Sequence, residues 1–214
     1  MVITIGATKG GAGKTWLALN LALYAARKGL SVSVCDLNPA QSLTADLAIL
    51  QARRQSGGVT VVQQCRSNAA VHVNDTAQFL GLDGTQAAWQ AADLLVCPVR
   101  PQVADQVAYA AGLHAYLEDL RGTAPIAIIP IGVHPFRNQP TRARLREFLA
   151  KLAPIAASPP EEDWIDWNST MEAQDTRSVF GTGVSQKFAS KSVANFAWLF
   201  AFAARAAAAG GKVQ

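Results

Sequence analysis

Short runs of β-branched and apolar residues alternate along the chain with longer alanine- and leucine-rich stretches of helical length. The short runs predict strands at residues 2–5, 31–35, 59–63, 70–74, 94–98 and 127–131. The longer stretches predict helices near residues 14–28, 41–54, 84–91, 103–120, 140–151 and 187–209. Most of these strands are continuously apolar, as expected for parallel strands buried on both faces. The alternation therefore predicts a doubly wound α/β fold, with a mostly parallel sheet flanked by helices and ligands bound at the carboxyl ends of the strands.

The composition predicts a folded protein with a sizeable core. Hydrophobic residues make up 50% of the 214 residues and charged residues 16%, which excludes a disordered chain. We expect a single domain spanning residues 1–214. The start of the chain lacks the pattern of a secretory signal, and the longest apolar run, residues 193–204, is too short to cross a bilayer. Cys35, Cys65 and Cys97 form neither a CxxC pair nor an even disulfide set, so we predict a reduced, cytoplasmic protein.

The net charge of +4 is unevenly distributed. Residues 1–120 contain 8 basic and 8 acidic residues, whereas residues 121–214 contain 11 and 7. The densest basic cluster, in which Glu147 is the single acid, consists of Arg137, Arg142, Arg144, Arg146 and Lys151. From residue 176 onward the charged residues are all basic. This segregation indicates a negatively charged partner, although solvated helix faces show similar patterns.

A glycine-rich segment, GATKGGAGKT at residues 6–15, directly follows the first predicted strand. It departs from the strict GxxxxGK[ST] pattern because Thr8 replaces the first glycine, and KGGxGKT describes it better. Glycines allow backbone amides to turn inward around phosphate oxygens, and the start of the following helix adds its positive dipole end. We predict that Lys14 reaches the β- and γ-phosphates and that the Thr15 hydroxyl binds Mg²⁺. The predicted nucleotide site consists of Lys9, Gly10, Gly11, Ala12, Gly13, Lys14, Thr15 and Trp16.

The second lysine of the loop, Lys9, resembles the deviant Walker A motif of the ParA/MinD family of ATPases. Residues 35–44, CDLNPAQSLT, are similar to the DxDPQxSLT segment of that family. The resemblance continues at residues 74–76 (the Walker B position), 92–101 and 175–180. It covers residues 1 to about 180, and the short chain is most similar to short plasmid-partition ParA proteins such as ParF. It implies the fold of P-loop NTPases of the deviant Walker A type.

The resemblance also implies a reaction, the hydrolysis of ATP by a homodimer that forms when ATP and Mg²⁺ bind. In the family, the lysine at the position of Lys9 reaches the nucleotide of the other subunit, and Lys14 and Mg²⁺ neutralise the remaining phosphate charge. Asp36 and Asp75 follow predicted strands, where a carboxylate can hold Mg²⁺ through water. For either aspartate, a role as a helix cap or turn residue is the alternative.

Two residues depart from the family pattern. Asn38 replaces the acid that helps to place the attacking water, and an amide carries no charge and cannot act as a base. We therefore expect hydrolysis to be slow or dependent on a partner, and ATP binding to be retained. Trp16 replaces a small hydroxyl residue, and its indole either crowds the α-phosphate or packs under the loop.

Nonspecific DNA binding by the ATP-bound dimer is a further implication of the resemblance, and it would rest on contacts to phosphates. Arg142 and Arg146 are one helical turn apart and are expected to share a face, with a solubilising surface as the alternative. The candidate contacts are Arg142, Arg144 and Arg146 first, then Arg137, Lys151, Lys187 and Lys191. The expected role is the partition of a plasmid, chromosome or other cargo on the nucleoid, with a ParB-like protein or cargo adaptor that stimulates hydrolysis.

Two alternative functions remain at this point. The first is a non-hydrolysing ATP-gated scaffold, which Asn38 suggests. The second is a MinD-like regulator recruited to the membrane. The aromatic residues of the stretch 188–209 are distributed around much of the predicted helix, which favours packing against the sheet over membrane binding. Cys35 and Cys97 are expected to pack in the core, because a bridging iron–sulfur cluster needs paired cysteines.

Overall fold

A computed structural model describes residues 1–7, 11–77, 85–100, 124–132, 139–165, 178–180 and 186–208. Within these ranges the strands form one parallel sheet in the order β3-β2-β4-β1-β5-β6. The strands are β1 (Val2–Ile5), β2 (Val32–Asp36), β3 (Thr60–Val61), β4 (Val71–Asp75), β5 (Leu94–Val99) and β6 (Ile126–Pro130). This order, with the first strand in the interior of the sheet, confirms the predicted doubly wound α/β fold.

The described helices flank this sheet. They are α1 (Lys14–Arg27), α2 (Ser42–Ala52), α3 (Thr85–Gln90), α4 (Gln139–Leu152) and α5 (Gln186–Ala208), with a short 3₁₀ turn at Glu161–Asp163. Each predicted boundary that falls on a described element lies within two residues of the observed one. The predicted helix at 103–120 lies outside the described residues.

One face of the sheet, which we call the first face, is covered by α1, α2 and α5 and is apolar. Phe196 of α5 is fully buried, with its ring centroid 5.7 Å from that of Tyr24 on α1. Phe196 and Phe200 of α5 thus pack on α1, whereas the sequence predicted packing against the sheet. None of the helices in the described part of the chain has the length and hydropathy needed to span a membrane.

The opposite face, which we call the second face, has two parts. Over β5 and β6, α3 and α4 contribute to a second apolar cluster that includes Trp89 and Leu145. Over β2 and β4, the inward side chains are polar and are covered by the segment 62–70. These polar groups form a buried chain of hydrogen bonds, and their partners link β2, β4, β1 and α3.

The polar chain starts at Ser33, whose Oγ lies 2.8 Å from His72 Nδ1. His72 Nε2 lies 3.0 Å from Asn74 Oδ1, and the Asn74 amide donates to Thr4 Oγ1 at 3.2 Å and to the Cys65 carbonyl at 3.1 Å. Because Asn74 Oδ1 is an acceptor, His72 donates to it from Nε2, and a neutral imidazole would accept from Ser33 at Nδ1. Burial, the largest cause, lowers the pKa of His72 and favours the same neutral form.

Candidate functional site

The turn from β1 into α1 has the backbone geometry that glycine permits. Gly11 and Gly13 have φ angles of 73° and 95°, in the left-handed region. The first i→i−4 bond of α1 runs from the Leu17 amide to the Gly13 carbonyl at 2.9 Å, so the amides of the first helical turn point toward the loop. Such a helix start favours a bound anion. Residues 8–10, with Lys9 and Gly10, lie outside the described residues.

Lys14 and Thr15 open α1 beside the end of β4. Thr15 Oγ1 donates to Asp75 Oδ2 at 2.7 Å, and the Asp75 side chain is fully buried. Lys14 is buried as well, and this burial lowers its pKa, whereas the negative charge of Asp75 raises it to a smaller extent. A desolvated ammonium at the start of a helix is stabilised by an added anion, which is the chemistry that a phosphate group would supply.

The oxygens of Thr15 and Asp75 fit a magnesium ion. Mg²⁺ prefers hard oxygen ligands and keeps several waters, so one hydroxyl and one nearby carboxylate suffice beside substrate phosphates. Ile5, Asp36 and Asp75 are register partners at the ends of β1, β2 and β4, which brings both predicted carboxylates to one edge of the sheet. Thr15 would bind the ion directly and Asp75 through water.

Asp36 has a different set of partners from Asp75. Its Oδ2 accepts hydrogen bonds from the amide and the hydroxyl of Thr44, at 2.9 Å and 3.1 Å, and its Oδ1 accepts from the Asn38 amide at 3.1 Å. The carboxylate therefore caps the first turn of α2, which is the capping role that the sequence left as an alternative. Thr44 is a partner that sequence reasoning missed, although it lies in the segment that carried the family resemblance.

Asn38 lies in the turn between β2 and α2. Its Oδ1 accepts from the Ala40 amide at 3.1 Å, and its carbonyl accepts from the Gln41 amide at 2.8 Å. Gln41 adopts a left-handed φ of 49° and donates from Nε2 to the Asp36 carbonyl at 2.9 Å. The Asn38 side chain thus orders a turn through its amide oxygen, a contact that an aspartate would also make.

Two tryptophans pack on either side of the loop. Trp16 is 3% exposed and lies in the first-face core, with its ring 6.4 Å from Phe196, so its indole packs under the loop and is directed away from the phosphate side. Only its backbone remains for the predicted nucleotide contact. Trp89 lies against Gly6 on the second face, where a methyl group at Gly6 would be 2.6 Å from Trp89 Cζ2. No sequence signal connected Trp89 to the loop, because α3 is distant along the chain.

The structure gives Arg142 and Arg146 an acidic partner within the chain. Arg142 and Arg146 share a face, as expected, but that face meets Glu161, with Nε–O distances of 2.9 Å and 2.8 Å. The Arg142 guanidinium also lies 5.3 Å from the Trp164 ring, and its side chain is only 12% exposed. Arg142 therefore joins α4 to the segment that follows it, and it is too buried to be the main contact for DNA.

The remaining described candidates lie on two helices. Arg144 and Lys151 are exposed on α4, and Lys191 is half-buried on α5. Arg137 and the Lys187 side chain lie outside the described residues. Among the described candidates, Arg144 and Lys151 are therefore exposed on α4, where Arg142 and Arg146 are ion-paired with Glu161.

The cysteines are buried or half-buried, in keeping with core packing. Cys35 and Cys97 are buried, and the Cys35 thiol hydrogen-bonds the thiol of Cys65. Burial is the main reason that the pKa of Cys35 is raised to about 12, so its thiol is protonated at neutral pH.

Comparison with known proteins gives a family model, described as the CobQ/CobB/MinD/ParA nucleotide binding domain, that matches residues 3–163. A protein ParA from Rhizobium radiobacter is 29% identical over 127 residues, which are 55% of this chain and 57% of that protein. The chain thus spans little more than half the length of this relative. Among solved structures, an ATP complex of an aspartate-to-alanine variant of McdA from Cyanothece has a TM-score of 0.74 at 14% identity, covering 93% of this chain and 95% of that one. A plasmid partition protein from Borrelia burgdorferi bound to AMPPNP has a TM-score of 0.69 at 16% identity, covering 94% and 97%. At these identities the structures show a shared fold.

Proposed function

The chain belongs to the CobQ/CobB/MinD/ParA nucleotide-binding family, and from this premise we propose that it is a ParA-like ATPase. The observation that carries the proposal is the hydrogen bond between Thr15 and Asp75 beside the buried Lys14, at the edge of the sheet where parallel strands end. Lys14 and the first-turn amides would hold the phosphates, and Mg²⁺ on Thr15 would neutralise charge on the transferred group. The ATP complex of McdA supports this assignment through the shared fold.

The proposed cycle couples nucleotide binding to assembly. Two ATP-bound copies would pair so that Lys9 of each reaches the nucleotide of the other, and the pair would bind duplex DNA without sequence preference. Hydrolysis would separate the copies and release the DNA, in the cytoplasm and on the nucleoid. A ParB-like protein or a cargo adaptor would stimulate that step during partition or positioning of a cargo. The partition protein from Borrelia burgdorferi supports this role through its fold.

Nucleotide binding is tested with a fluorescent ATP analogue, with and without Mg²⁺. Loss of a charge-assisted contact of about 1.5–3 kcal/mol predicts that Lys14→Ala weakens binding about 10- to 100-fold. The control is Lys151→Ala, because Lys151 is exposed on α4, and it should bind like the wild type. Light scattering with ATP and Mg²⁺ should report a dimer, which Lys9→Ala abolishes while monomeric binding persists. Wild-type protein that binds no ATP would refute the proposal.

The alternative function is a scaffold that binds ATP without hydrolysing it. The observation that favours it is the hydrogen bond that Asn38 Oδ1 accepts from the Ala40 amide. Asn38→Asp keeps that contact and supplies a carboxylate, so we expect turnover to rise about tenfold or more, within the range of positioned acid–base groups. Asn68→Asp makes the same charge change at an exposed site and should have no effect. Absence of turnover in the wild type, with DNA and candidate partners present, would favour the scaffold.

A further inference from the structure

Three helices of the first face end at the same end of the sheet. α1 and α2 each follow a parallel strand, so they run in the same direction and both end near the amino ends of the strands. The turn after α2 also contacts the last turn of α1, since a methyl group at Gly57 would lie 3.1 Å from Ala26 Cβ. Arg27, Lys28 and Arg54 therefore lie at this end, which is opposite the phosphate loop.

Helix α5 brings a fourth cation to the same end. Phe196 lies 6.4 Å from Trp16 and 5.7 Å from Tyr24, and Phe200, one turn later, lies 5.8 Å from Tyr24. α5 thus advances along α1 in the same direction. Arg205 is about 7.5 Å beyond Phe200 along the helix, which brings it to the end of α1. We call Arg27, Lys28, Arg54 and Arg205 the basal surface.

The acids in the described part of the chain do not pair with the basal surface. All four side chains are exposed, and none forms an ion pair with another described residue. Asp93, an exposed acid just before β5, is itself paired with Arg66 at 3.4 Å. The ends of three helices supply about −0.5 each, so helix dipoles offset about 1.5 of the four charges. The dipoles therefore explain only part of this cluster, and its described residues keep a net positive charge.

The chemistry of the basal surface fits the phosphates of duplex DNA. Three of its four cations are arginines, whose guanidinium groups bind phosphate oxygens in a bidentate manner. A lipid surface also needs several apolar anchors, and the exposed large hydrophobic side chains among the described residues are Leu30, which follows Lys28 by two residues, Ile49 and Ile155. On α4, by contrast, Arg142 and Arg146 both pair with Glu161, whose single negative charge offsets one of the two.

We propose that duplex DNA binds the basal surface, where Arg27, Lys28, Arg54 and Arg205 contact backbone phosphates. The inference rests on the proposed function, which includes DNA binding but does not say where the DNA lies. α1 has 14 residues and is about 21 Å long, so DNA at its far end leaves Lys14 and Thr15 to the nucleotide. Charge removal at the basal surface should therefore leave ATP binding unchanged.

The test is fluorescence anisotropy of labelled duplexes of unrelated sequence, titrated with ATP-bound protein at several salt concentrations. Arg27→Ala/Arg54→Ala removes two basal charges, and Arg144→Ala/Lys151→Ala removes two charges from α4, the rival surface that the sequence predicted to contact DNA. We expect the basal variant to lose affinity and the slope of log K against log salt to fall by about two, because each lost phosphate contact lowers it by about one. The α4 variant should keep the wild-type slope.

Further measurements separate the possible failures. Thermal melting and ATP binding confirm that each variant is folded, and Arg27→Lys/Arg54→Lys should restore most of the DNA affinity because it restores the charge. A folded basal variant that binds DNA like the wild type overturns the inference and leaves the proposed function intact. Wild-type protein that binds ATP but no DNA overturns both. Binding to anionic vesicles in place of DNA, lost in the basal variant, would replace DNA with a membrane as the partner.

Discussion

Both faces of the sheet are buried, but they are lined by side chains of different chemistry. Across the first face, one row of register partners is apolar throughout, and it consists of Val34, Val73, Ile3 and Leu94. Across the second face, the neighbouring row begins polar and becomes apolar, and it consists of Cys35, Asn74, Thr4, Leu95 and Ile126. All of these residues are buried.

The difference shows how the edge of the sheet that carries the candidate site is held. On the first face, long helices cover the strands and packing is nondirectional, so stability depends on filled volume. Over β2 and β4 on the second face, the segment 62–70 covers the strands and hydrogen bonds hold it in place. These are the strands that end in Asp36 and Asp75. Loss of volume should therefore damage the first face most, whereas loss of a donor or a change in pH should damage the second.

The largest effect is expected from Phe196→Ala on the first face. Phe196 is fully buried between α5 and α1, and deletion of a buried phenylalanine ring costs about 3–5 kcal/mol in the free energy of unfolding. Urea denaturation measures this loss. The matched control is Phe200→Ala, which removes a half-buried ring from the same helix and should cost clearly less. Equal losses would show that packing on this face is looser than the structure indicates.

A large effect is also expected where the second face meets the phosphate loop. Gly6→Ala places a methyl group 2.6 Å from the Trp89 indole, and such overpacking costs about 1–3 kcal/mol. Because Gly6 leads into the loop, we expect ATP affinity to fall as well. The double variant Gly6→Ala/Trp89→Leu should recover part of both, since the smaller side chain makes room. If the double variant is no better than Gly6→Ala, contact with Trp89 is not the cause.

A loss of comparable size is expected from Asn74→Leu, which keeps the volume of the side chain but removes its hydrogen bonds. The Cys65 carbonyl and His72 Nε2 would lose their buried partner, at a cost of about 1–3 kcal/mol in the free energy of unfolding. Asn68→Leu is the control, because Asn68 is exposed in the covering segment and should change stability little. Denaturant titration distinguishes the two. An unchanged free energy of unfolding for Asn74→Leu would mean that the hydrogen bonds of Asn74 do not stabilise the second face.

The smallest effect is a pH dependence that only the second face should show. Burial lowers the pKa of His72 from its usual 6.5, so between the lowered value and 6.5 the unfolded chain binds more protons than the folded one. The stabilisation is therefore fully present above pH 6.5 and declines as the pH falls below it. His72→Gln should remove this part of the slope in melts recorded across that range, whereas Phe196→Ala should keep it. A slope unchanged by His72→Gln would assign the dependence to other groups.

Much of the fold and part of the site could be predicted from the sequence. The glycine-rich loop and the two aspartates were identified because local pattern and spacing express their chemistry. Three features could not be predicted from the sequence. They are the capping role of Asp36, the burial of the Trp16 indole and the contact of Trp89 with Gly6. Each of these contacts depends on a residue of another part of the chain. Such a residue is either distant in sequence or one of several that could have made the contact.

Along the chain, hydrophobic period and turn chemistry determined the strands, the helices and the start of α1 at the glycine loop, because these follow from the local conformational preferences of the backbone. Tertiary structure alone decided which charges are neutralised. Glu161 forms ion pairs with Arg142 and Arg146, which the sequence predicted to lie on an exposed basic surface. Residues 1–120 have no net charge, yet three of their basic residues, Arg27, Lys28 and Arg54, lie at the ends of α1 and α2. Electrostatic character depends on distances through space, and folding brings together groups whose separation the sequence does not record.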